Sequence, residues 1–287
     1  MTPELTDINY IKQVMEHHGF HVSKALGQNF LINPTVCPKI AELGNAKKNF
    51  GILEIGTGVG VLTAELAKRA DKVVAIELDN KLFPILDETL AEFDNIKIIH
   101  GDAMKIDLKK LILEEFNNLQ VAVCANLPYY ITSPLIMRLL EEKLPIKTIT
   151  VMVQKEAGQR ICAPVGSRES GAVTVAVAYY GTAKKLFDVT RGSFLPAPNV
   201  DSMVMQIALY PEQHWHVQDE NLFFRIIKTG FSQRRKQLCS VLASNFNISK
   251  KAMLSIFEQA NIVSNIRIEA LTMPELVNLS NVLIKNL

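Results

Sequence analysis

The sequence has 287 residues, of which 48% are hydrophobic, so the chain can bury one large core and a second, smaller one. Its 31 Lys and Arg residues against 29 Asp and Glu residues give a net charge of +2, which excludes a globally basic protein and restricts any nucleic-acid surface to a local patch. The chain begins without a signal-peptide pattern, and no stretch approaches the roughly 18 apolar residues of a membrane span. We therefore expect a soluble, cytoplasmic protein that does not enter membranes.

The residues that commonly bind metals are scattered along the chain. His17 and His21 are four residues apart, but Gly19 lies between them and no third ligand is near, so we expect surface histidines. The cysteines form no CxxC pair, which is typical of a reducing compartment and predicts neither disulfides nor a metal site. They are Cys37, Cys124, Cys162 and Cys239.

Residues 23–34 combine a turn with a helix start. Gly27-Gln28-Asn29 predicts a turn before two large apolar residues. Asn33-Pro34 predicts an N-cap followed by proline at the first helical position. Taken alone, this segment is typical of an ordinary loop.

Residues 51–77 give the strongest local signal, a βαβ unit. Residues 51–55 predict a strand, 56–60 a glycine loop, 61–70 a helix and 72–76 a second strand ending at Glu77. An acidic side chain at that strand end can accept hydrogen bonds from two ribose hydroxyls. The spacing E-x-G-x-G-x-G, with a valine after the last glycine, differs from the dinucleotide pattern G-x-G-x-x-G. It predicts a site for a nucleoside with an amino-acid tail, S-adenosylmethionine.

A third strand, residues 96–100, runs into Gly101-Asp102-Ala103. An acidic residue at this strand end can accept a hydrogen bond from the amino group of a cofactor adenine. Alone, Asp102 is more typical of a loop or cap, but its place after a third strand end favours the ligand role.

The apolar run of residues 121–125 predicts a buried strand that ends in the loop Asn126-Leu127-Pro128-Tyr129. An adenine amino nitrogen is a poor nucleophile because its lone pair is delocalised into the ring. The Asn126 side-chain oxygen and the carbonyl of Leu127 or Pro128 can accept the amino hydrogens, which localises that pair, while Tyr129 stacks on the base. The alternative is a helix start capped by Asn126, with the tyrosines in the core.

Residues 148–153 predict a fifth strand, and residues 154–157 begin a helix. Residues 172–180 show the β-branched alternation of a strand, but the alternating topology favours a helix, which we predict. Residues 185–189 and 203–209 predict two closing strands at a hairpin-like end of the sheet. The proline-rich loop between them presents Phe194, which can close on the second face of a base held by Tyr129.

After residue 211 the strand pattern stops, and residues 219–287 predict several amphipathic helices. Within them, Arg234, Arg235 and Lys236 are three adjacent cations that can neutralise RNA phosphates. A solvated helix face explains the same run.

Several motifs together resemble the ribosomal RNA adenine N6-dimethyltransferase family over nearly the whole chain. The resemblance implies an α/β fold with a Rossmann-like, seven-stranded class I methyltransferase sheet, a small all-α C-terminal domain and S-adenosyl-L-methionine as the methyl donor. The motifs are residues 26–31, 54–60, Glu77, 101–103, 126–129 and 194–198.

By this resemblance, the cofactor site consists of Asn29, Leu31, Gly56, Gly58, Glu77, Asp102 and Asn126, and the target base is held by Asn126, Leu127, Pro128, Tyr129 and Phe194. Thr57 stands where many relatives have proline, and we expect that difference to leave activity unchanged. The implied mechanism is base flipping followed by direct methyl transfer, without a metal or a covalent intermediate.

Two branches of the family differ in substrate. One dimethylates two adjacent adenosines in a hairpin near the 3′ end of small-subunit (16S) rRNA, and the other modifies one large-subunit (23S) rRNA adenosine and confers antibiotic resistance. Residues 231–238 resemble the first branch. We expect a catalytic domain over residues 1–212, whose segment 1–33 closes on the cofactor, and an RNA-binding domain over residues 213–287. The expected partner is small-subunit rRNA in an assembling particle, and the expected state is a monomer.

Two other classes of function remain open from the sequence. A non-catalytic RNA-binding assembly factor would retain the fold, although the intact Asn126, Tyr129 and glycine loop argue for chemistry. A methyltransferase acting on a protein or DNA amine would use a similar loop, although the Phe194 loop and the basic C-terminal run favour RNA.

Overall fold

The computed structural model describes residues 5–23 and 26–287, which form two compact units. The first comprises the described residues up to 158 together with residues 184–209, and the second comprises residues 159–183 and 210–287. This division differs from the single boundary predicted after residue 212, because residues 159–183 pack with the C-terminal helices. Among the described residues, every helix is too short or too polar to cross a bilayer.

The strands are Phe30–Leu31 (β1), Phe50–Ile55 (β2), Lys72–Glu77 (β3), Ile96–His100 (β4), Gln120–Asn126 (β5), Ile146–Gln154 (β6), Gly181–Val189 (β7), Phe194–Leu195 (β8) and Ser202–Leu209 (β9). The helices are Ile8–His17 (α1), Val36–Leu43 (α2), Val61–Ala67 (α3), Phe83–Thr89 (α4), Leu108–Phe116 (α5), Thr132–Glu141 (α6), Lys155–Ile161 (α7), Ala172–Tyr180 (α8), Glu220–Ser232 (α9), Leu238–Phe246 (α10), Lys250–Gln259 (α11) and Met273–Ile284 (α12).

The first unit is built on a seven-stranded sheet of order β4-β3-β2-β5-β6-β9-β7. Adjacent strands are parallel from β4 across the sheet to β6. The next strand, β9, runs antiparallel to β6. Strands β3 and β4 lie on one side of β2 in the sheet, and the chain then crosses to the other side of β2, where β5 pairs with it. The switch point of the sheet therefore lies between β2 and β5, where open α/β sheets bind ligands.

The register brings the carboxyl ends of the central strands to one edge. Ile55 pairs with Ile76, and Glu77 pairs with His100 on the next strand. Strand β2 is buried along its whole length, as expected for a parallel strand covered on both faces. This confirms the predicted class of fold, and it places the loops after β2, β3, β4 and β5 side by side.

Local differences from the predicted elements are small. Helix α2 begins at Val36 instead of at the predicted Asn33-Pro34, because the Asn33 side chain accepts a hydrogen bond from Thr35 N at 3.0 Å and forms a turn first. Strand β1 pairs antiparallel with β8, so that Leu31 lies opposite Phe194. The sequence did not indicate this pairing.

The second unit is helical and has its own core. Residues 172–180, whose β-branched alternation favours a strand, form the predicted helix, α8. Val175 and Tyr179 on α8 pack with Phe223, Leu242 and other apolar residues of α9 to α12. The Tyr179 ring stacks on Phe223 with 5.1 Å between centroids. Burial of these side chains against four helices outweighs the strand propensity of the β-branched residues.

Candidate active site

A cavity of about 230 Å³ lies at the carboxyl ends of β2 to β5 in the first unit. All the predicted cofactor-site and base-site residues line it: Asn29, Leu31, Gly56, Gly58, Glu77, Asp102, Asn126, Leu127, Pro128, Tyr129 and Phe194. A cavity at the switch point with an apolar lining and a few polar groups is the usual form of a small-molecule site in such sheets.

The glycine loop after β2 has a backbone conformation that side chains disfavour. Gly56, Gly58 and Gly60 have φ values of +80°, +56° and +90°. A β-carbon placed on Gly58 would lie 3.0 Å from Phe30 Cδ1, closer than normal contacts allow. Glycine therefore lets the backbone turn and approach the cavity closely.

The Glu77 carboxylate at the end of β3 accepts several hydrogen bonds. Its Oε2 accepts from Thr57 N and Thr57 Oγ1, both at 2.9 Å, and from Gly58 N at 3.3 Å. Its Oε1 accepts from Asp79 N at 2.9 Å. A carboxylate has about four lone-pair sites, so Oε2 is nearly saturated and Oε1 is the oxygen that retains capacity for a ligand.

Thr57 thus supplies two donors to the candidate ribose-binding carboxylate, one of them from its side chain. We expected the threonine to be a neutral difference from relatives with proline. Its contact with Glu77 shows a role that the sequence did not indicate, because proline has neither an N–H nor a hydroxyl to donate.

Gln28 is a second residue that the sequence reasoning missed. Its Nε2 donates to Asp79 Oδ2 at 2.9 Å, and its Oε1 accepts from Ser23 N at 2.7 Å. These bonds connect the segment before β1 to the Glu77 loop. Residues 1–4, 24 and 25, within the segment 1–33 that was predicted to close on the cofactor, lie outside the described residues.

Asp102 lies in the loop after β4 and faces the same cavity. Its Oδ1 accepts a hydrogen bond from Met104 N at 2.9 Å, and its Oδ2 is 3.6 Å from Lys105 Nζ. The bond to Met104 orients the carboxylate, and within the described part of the chain Oδ2 forms an ion pair only with the exposed Lys105.

Asn126 ends β5 with its side chain oriented by the segment before β1. Its Nδ2 donates to Asn29 O at 3.4 Å, and within residues 5–23 and 26–287 no hydrogen bond reaches its Oδ1. The Pro128 carbonyl accepts from Ile131 N at 3.2 Å and from Thr132 Oγ1 at 3.4 Å, which occupies both of its lone pairs. Of the two carbonyls that the sequence left open, Leu127 is therefore the one available to a ligand.

The two predicted base-holding rings differ in exposure. Tyr129 is half-buried, and its hydroxyl is hydrogen-bonded to Ser202 Oγ at 2.9 Å. Burial raises the pKa of Tyr129, and the Ser202 hydrogen bond partly opposes this, so the phenol is neutral at neutral pH. Phe194 is only 3% exposed and belongs to the core of the first unit.

Glu54 is a buried carboxyl in the wall of the cavity. Neither of its oxygens has a hydrogen-bond partner. Burial raises the pKa of Glu54 to about 8, the nearby Thr63 hydroxyl opposes this shift without reaching hydrogen-bond geometry, and the charge of Glu77 adds to it. The carboxyl is therefore largely protonated at neutral pH.

The three predicted RNA-binding cations lie in the second unit, in the turn between α9 and α10 and not on a helix. Arg235 and Lys236 are exposed. Arg234 instead donates to the Arg168 carbonyl, and its Nε is 3.8 Å from Glu269 Oε2. The structure thus separates one internally bonded arginine from two solvent-exposed cations.

Among the described residues, His17, His18 and Glu88 bring potential metal ligands within 4.8 Å of one another. His18 Nε2 lies 2.8 Å from Glu88 Oε2. The group therefore involves the histidine next to His17 and not His21. It is not part of the cavity.

A seven-stranded sheet of this topology, with a glycine loop after its first parallel strand and an acidic residue ending the second, defines a Rossmann-like methyltransferase. The sequence matches the model of the ribosomal RNA adenine dimethylase family over residues 19–285, and the chain belongs to this family.

Curated relatives and solved structures agree with this assignment. The chain is 42% identical over 280 residues to the ribosomal RNA small subunit methyltransferase A of Bacillus mycoides, covering 96% of both chains, and to that of Bacillus cereus strain AH187 to the same extent. A dimethyladenosine transferase from Plasmodium falciparum superposes with a TM-score of 0.72 at 26% identity, over 87% of this chain and 95% of that one. The 23S rRNA methyltransferase ErmE shares the fold, with a TM-score of 0.68 at 23% identity over 89% of this chain and 100% of its own.

Proposed function

We propose that the protein transfers methyl groups from S-adenosyl-L-methionine to the N6 amines of two adjacent adenosines in a hairpin near the 3′ end of small-subunit rRNA. The observation that carries this proposal is the pair of available acceptors, Asn126 Oδ1 and the Leu127 carbonyl, in one cavity with Glu77 and the glycine loop. The relatives named as small-subunit methyltransferases support the choice of substrate.

The residues of the cavity suit S-adenosylmethionine, which when bound supplies an electrophilic methyl group on a sulfonium. Glu77 Oε1 has capacity for a ribose hydroxyl, and Asp102 Oδ2 can accept from the adenine amine. The glycine loop lets the backbone approach the amino-acid tail closely, and the Phe30 ring leaves too little room for a side chain at Gly58. Asn29 and Leu31 complete the wall on the side of β1.

The chain activates the target amine by hydrogen bonding. Asn126 Oδ1 and the Leu127 carbonyl each accept one amino hydrogen, so the nitrogen lone pair is withdrawn from the ring and points away from both acceptors. After the first methylation one N–H remains, and a single acceptor is then sufficient. Tyr129 stacks on the flipped base, and its hydrogen bond to Ser202 fixes the ring. Positioning and these acceptors supply the catalysis, with no strong general base assigned.

In this proposal the chain acts as a monomer. The first unit, within residues 1–212, forms the catalytic part, and residues 213–287 of the second unit contribute Arg235 and Lys236 to the RNA backbone. Arg234 supports their turn through its bonds to Arg168 and Glu269.

The test is transfer of labelled methyl groups to small subunits from a strain that lacks this modification, with large subunits and naked large-subunit rRNA in parallel. We expect label only on small subunits, recovered as dimethyladenosine. Asn126→Ala should lower transfer by at least 100-fold, the range for loss of one transition-state contact, while Asn118→Ala at an exposed position serves as a matched control. Label only on large-subunit RNA would assign the resistance reaction, and cofactor binding without label would leave the binding-factor or protein and DNA alternatives.

A further inference from the structure

The loop after β5 carries a second tyrosine, Tyr130, that the proposed chemistry does not use. Four aromatic residues line the cavity: Phe30, Tyr129, Tyr130 and Phe194. Phe30 and Phe194 are 5% and 3% exposed, and Tyr129 is half-buried, whereas Tyr130 is 57% exposed. Of the described lining rings, Tyr130 is therefore the one that presents a large apolar surface to solvent.

Tyr130 and Tyr129 face different directions. Both belong to the 3-10 turn Tyr129–Ile131, in which successive residues point about 120° apart. The Tyr129 hydroxyl is fixed by Ser202, so its ring direction is set. The two residues therefore present their rings in different directions, and Tyr130 is available to a base other than the one that Tyr129 holds.

The ring of Tyr130 is supported on one side by backbone. A β-carbon placed on Gly27 would lie 3.7 Å from Tyr130 Cδ1, from Tyr130 Cε1 and from Pro128 Cβ. The Gly27 turn thus lies close to one edge of the ring, while more than half of the residue remains open. Backbone on one side limits the directions that the ring can take, so the ring loses less freedom when a flat partner stacks on it.

We propose that Tyr130 stacks on the nucleobase next to the target adenosine, which in a pair of adjacent targets is the other adenosine. Flipping one adenosine removes a stacking partner from its neighbour, and an aromatic ring at the mouth of the cavity replaces that partner. The inference rests on the proposed function, because it requires RNA as the substrate. It adds a positioning residue that holds the waiting adenosine while Tyr129 holds the reacting one.

The experiment compares Tyr130→Ala and Tyr130→Phe with the wild type on unmethylated small subunits. For Tyr130→Ala, we expect the KM for subunits to rise about 5- to 150-fold, the range for loss of one base–aromatic stack. We expect kcat and the Kd for S-adenosylmethionine, measured by calorimetry, to stay within about twofold. Tyr130→Phe keeps the ring and should behave as the wild type. Leu113→Ala removes a similarly exposed apolar side chain from α5, outside the cavity lining, and should change nothing.

An unchanged KM in Tyr130→Ala would overturn the proposal. A raised Kd for the cofactor would overturn it as well, because the ring would then serve the Gly27 segment instead of RNA. A Tyr130→Phe variant as impaired as Tyr130→Ala would assign the effect to the hydroxyl and not to stacking.

A binding measurement separates this inference from the proposed reaction. Two RNA hairpins carry 2-aminopurine in place of the first or the second of two adjacent adenosines, and at least one of them should lose fluorescence on binding the wild type and retain it with Tyr130→Ala. Quenching that depends on Tyr130 supports the stack even if the wild type transfers no methyl group. Equal quenching by both proteins contradicts it even if methyl transfer is normal.

Discussion

At the scale of single residues, the Glu77 carboxylate shows how much of a ligand site is set by its neighbours. Three backbone N–H groups and the Thr57 hydroxyl point at this one side chain. Glu77→Ala therefore removes the candidate ribose acceptor and also deprives three backbone N–H groups and the Thr57 hydroxyl of this acceptor. A sharp rise in the cofactor Kd is expected for that variant, but it combines both effects.

Thr57→Val is the cleaner change. It removes the hydroxyl bond to Glu77 Oε2 and a longer one to the Gly58 carbonyl at 3.4 Å, and it keeps the backbone N–H donor. We expect the Kd for S-adenosylmethionine to rise about fivefold, equivalent to about 1 kcal/mol for loss of the shorter bond. Thr57→Ser keeps the donor and should bind within about twofold of the wild type. Calorimetry on the three proteins decides this, and equal affinities for all three would show that the hydroxyl does not orient Glu77.

The buried Glu54 carboxyl predicts a pH dependence of stability. Its pKa of about 8 in the folded protein lies above the ordinary value of about 4.3, so the folded state binds the proton more tightly. The stability that this group contributes is fully present below about pH 4.3 and is lost as the pH rises through 8, with a limiting slope of about 1.4 kcal/mol per pH unit.

The comparison with Glu54→Gln isolates this group, because other titrations are common to both proteins. Urea unfolding at pH 5, 6, 7 and 8 should show the variant gaining free energy of unfolding relative to the wild type as the pH rises. A difference that stays constant over this range would mean that Glu54 is ionised in the fold.

At the scale of elements, the short pair β1 and β8 connects two segments that are distant in the sequence. Leu31 of the candidate cofactor site lies opposite Phe194 of the candidate base site. The Asn126 amide also bonds to the carbonyl of Asn29, just before β1. The cofactor and base halves of the cavity are thus held by one small hydrogen-bonded structure.

The burial of Phe194 predicts a structural effect in addition to any effect on the base. Phe194→Ala should lower the free energy of unfolding by about 3–5 kcal/mol because it creates a cavity in the core. Phe194→Leu fills most of that space and should lose clearly less, yet it lacks the aromatic face. Chemical denaturation and methyl transfer measured on both variants separate the two roles, and an Ala variant as stable as the wild type would show that the ring is not packed.

At the scale of the whole molecule, each compact unit has its own core and its own part of the proposed function. The net charge of +2 leaves little general attraction for RNA, so local cations must supply it. The turn between α9 and α10 offers Arg235 and Lys236 to solvent, whereas Arg234 is bonded within the second unit.

Replacing Arg235 and Lys236 together by Ala should weaken binding to small subunits and reduce the slope of log K against log salt by about 1.4, or about 0.7 per lost phosphate contact. Lys250→Ala with Lys251→Ala, at exposed positions of α11, is the matched control. Arg234→Ala should mainly lower the melting temperature. Equal slopes for the wild type and the Arg235 and Lys236 variant would remove this turn from the RNA interface.

The sequence by itself determined the βαβ unit, the glycine loop, the succession of strand ends and the helical C-terminal part. These features follow from periodicity and spacing along the chain, and parallel strands necessarily bring their carboxyl ends to one edge. The helix at residues 172–180 was also predictable, but only from topology, since its local propensity favours a strand.

Only the tertiary structure decided the contacts between residues far apart in the chain. The hydroxyl of Thr57 reaches Glu77, Gln28 reaches Asp79, and Arg234 turns inward to Glu269. The tertiary structure also places residues 159–183 in the second unit and leaves Tyr130 exposed. It buries the Glu54 carboxyl without a hydrogen-bond partner. Each of these depends on how packed elements position side chains in space, and no local pattern of residues carries that information.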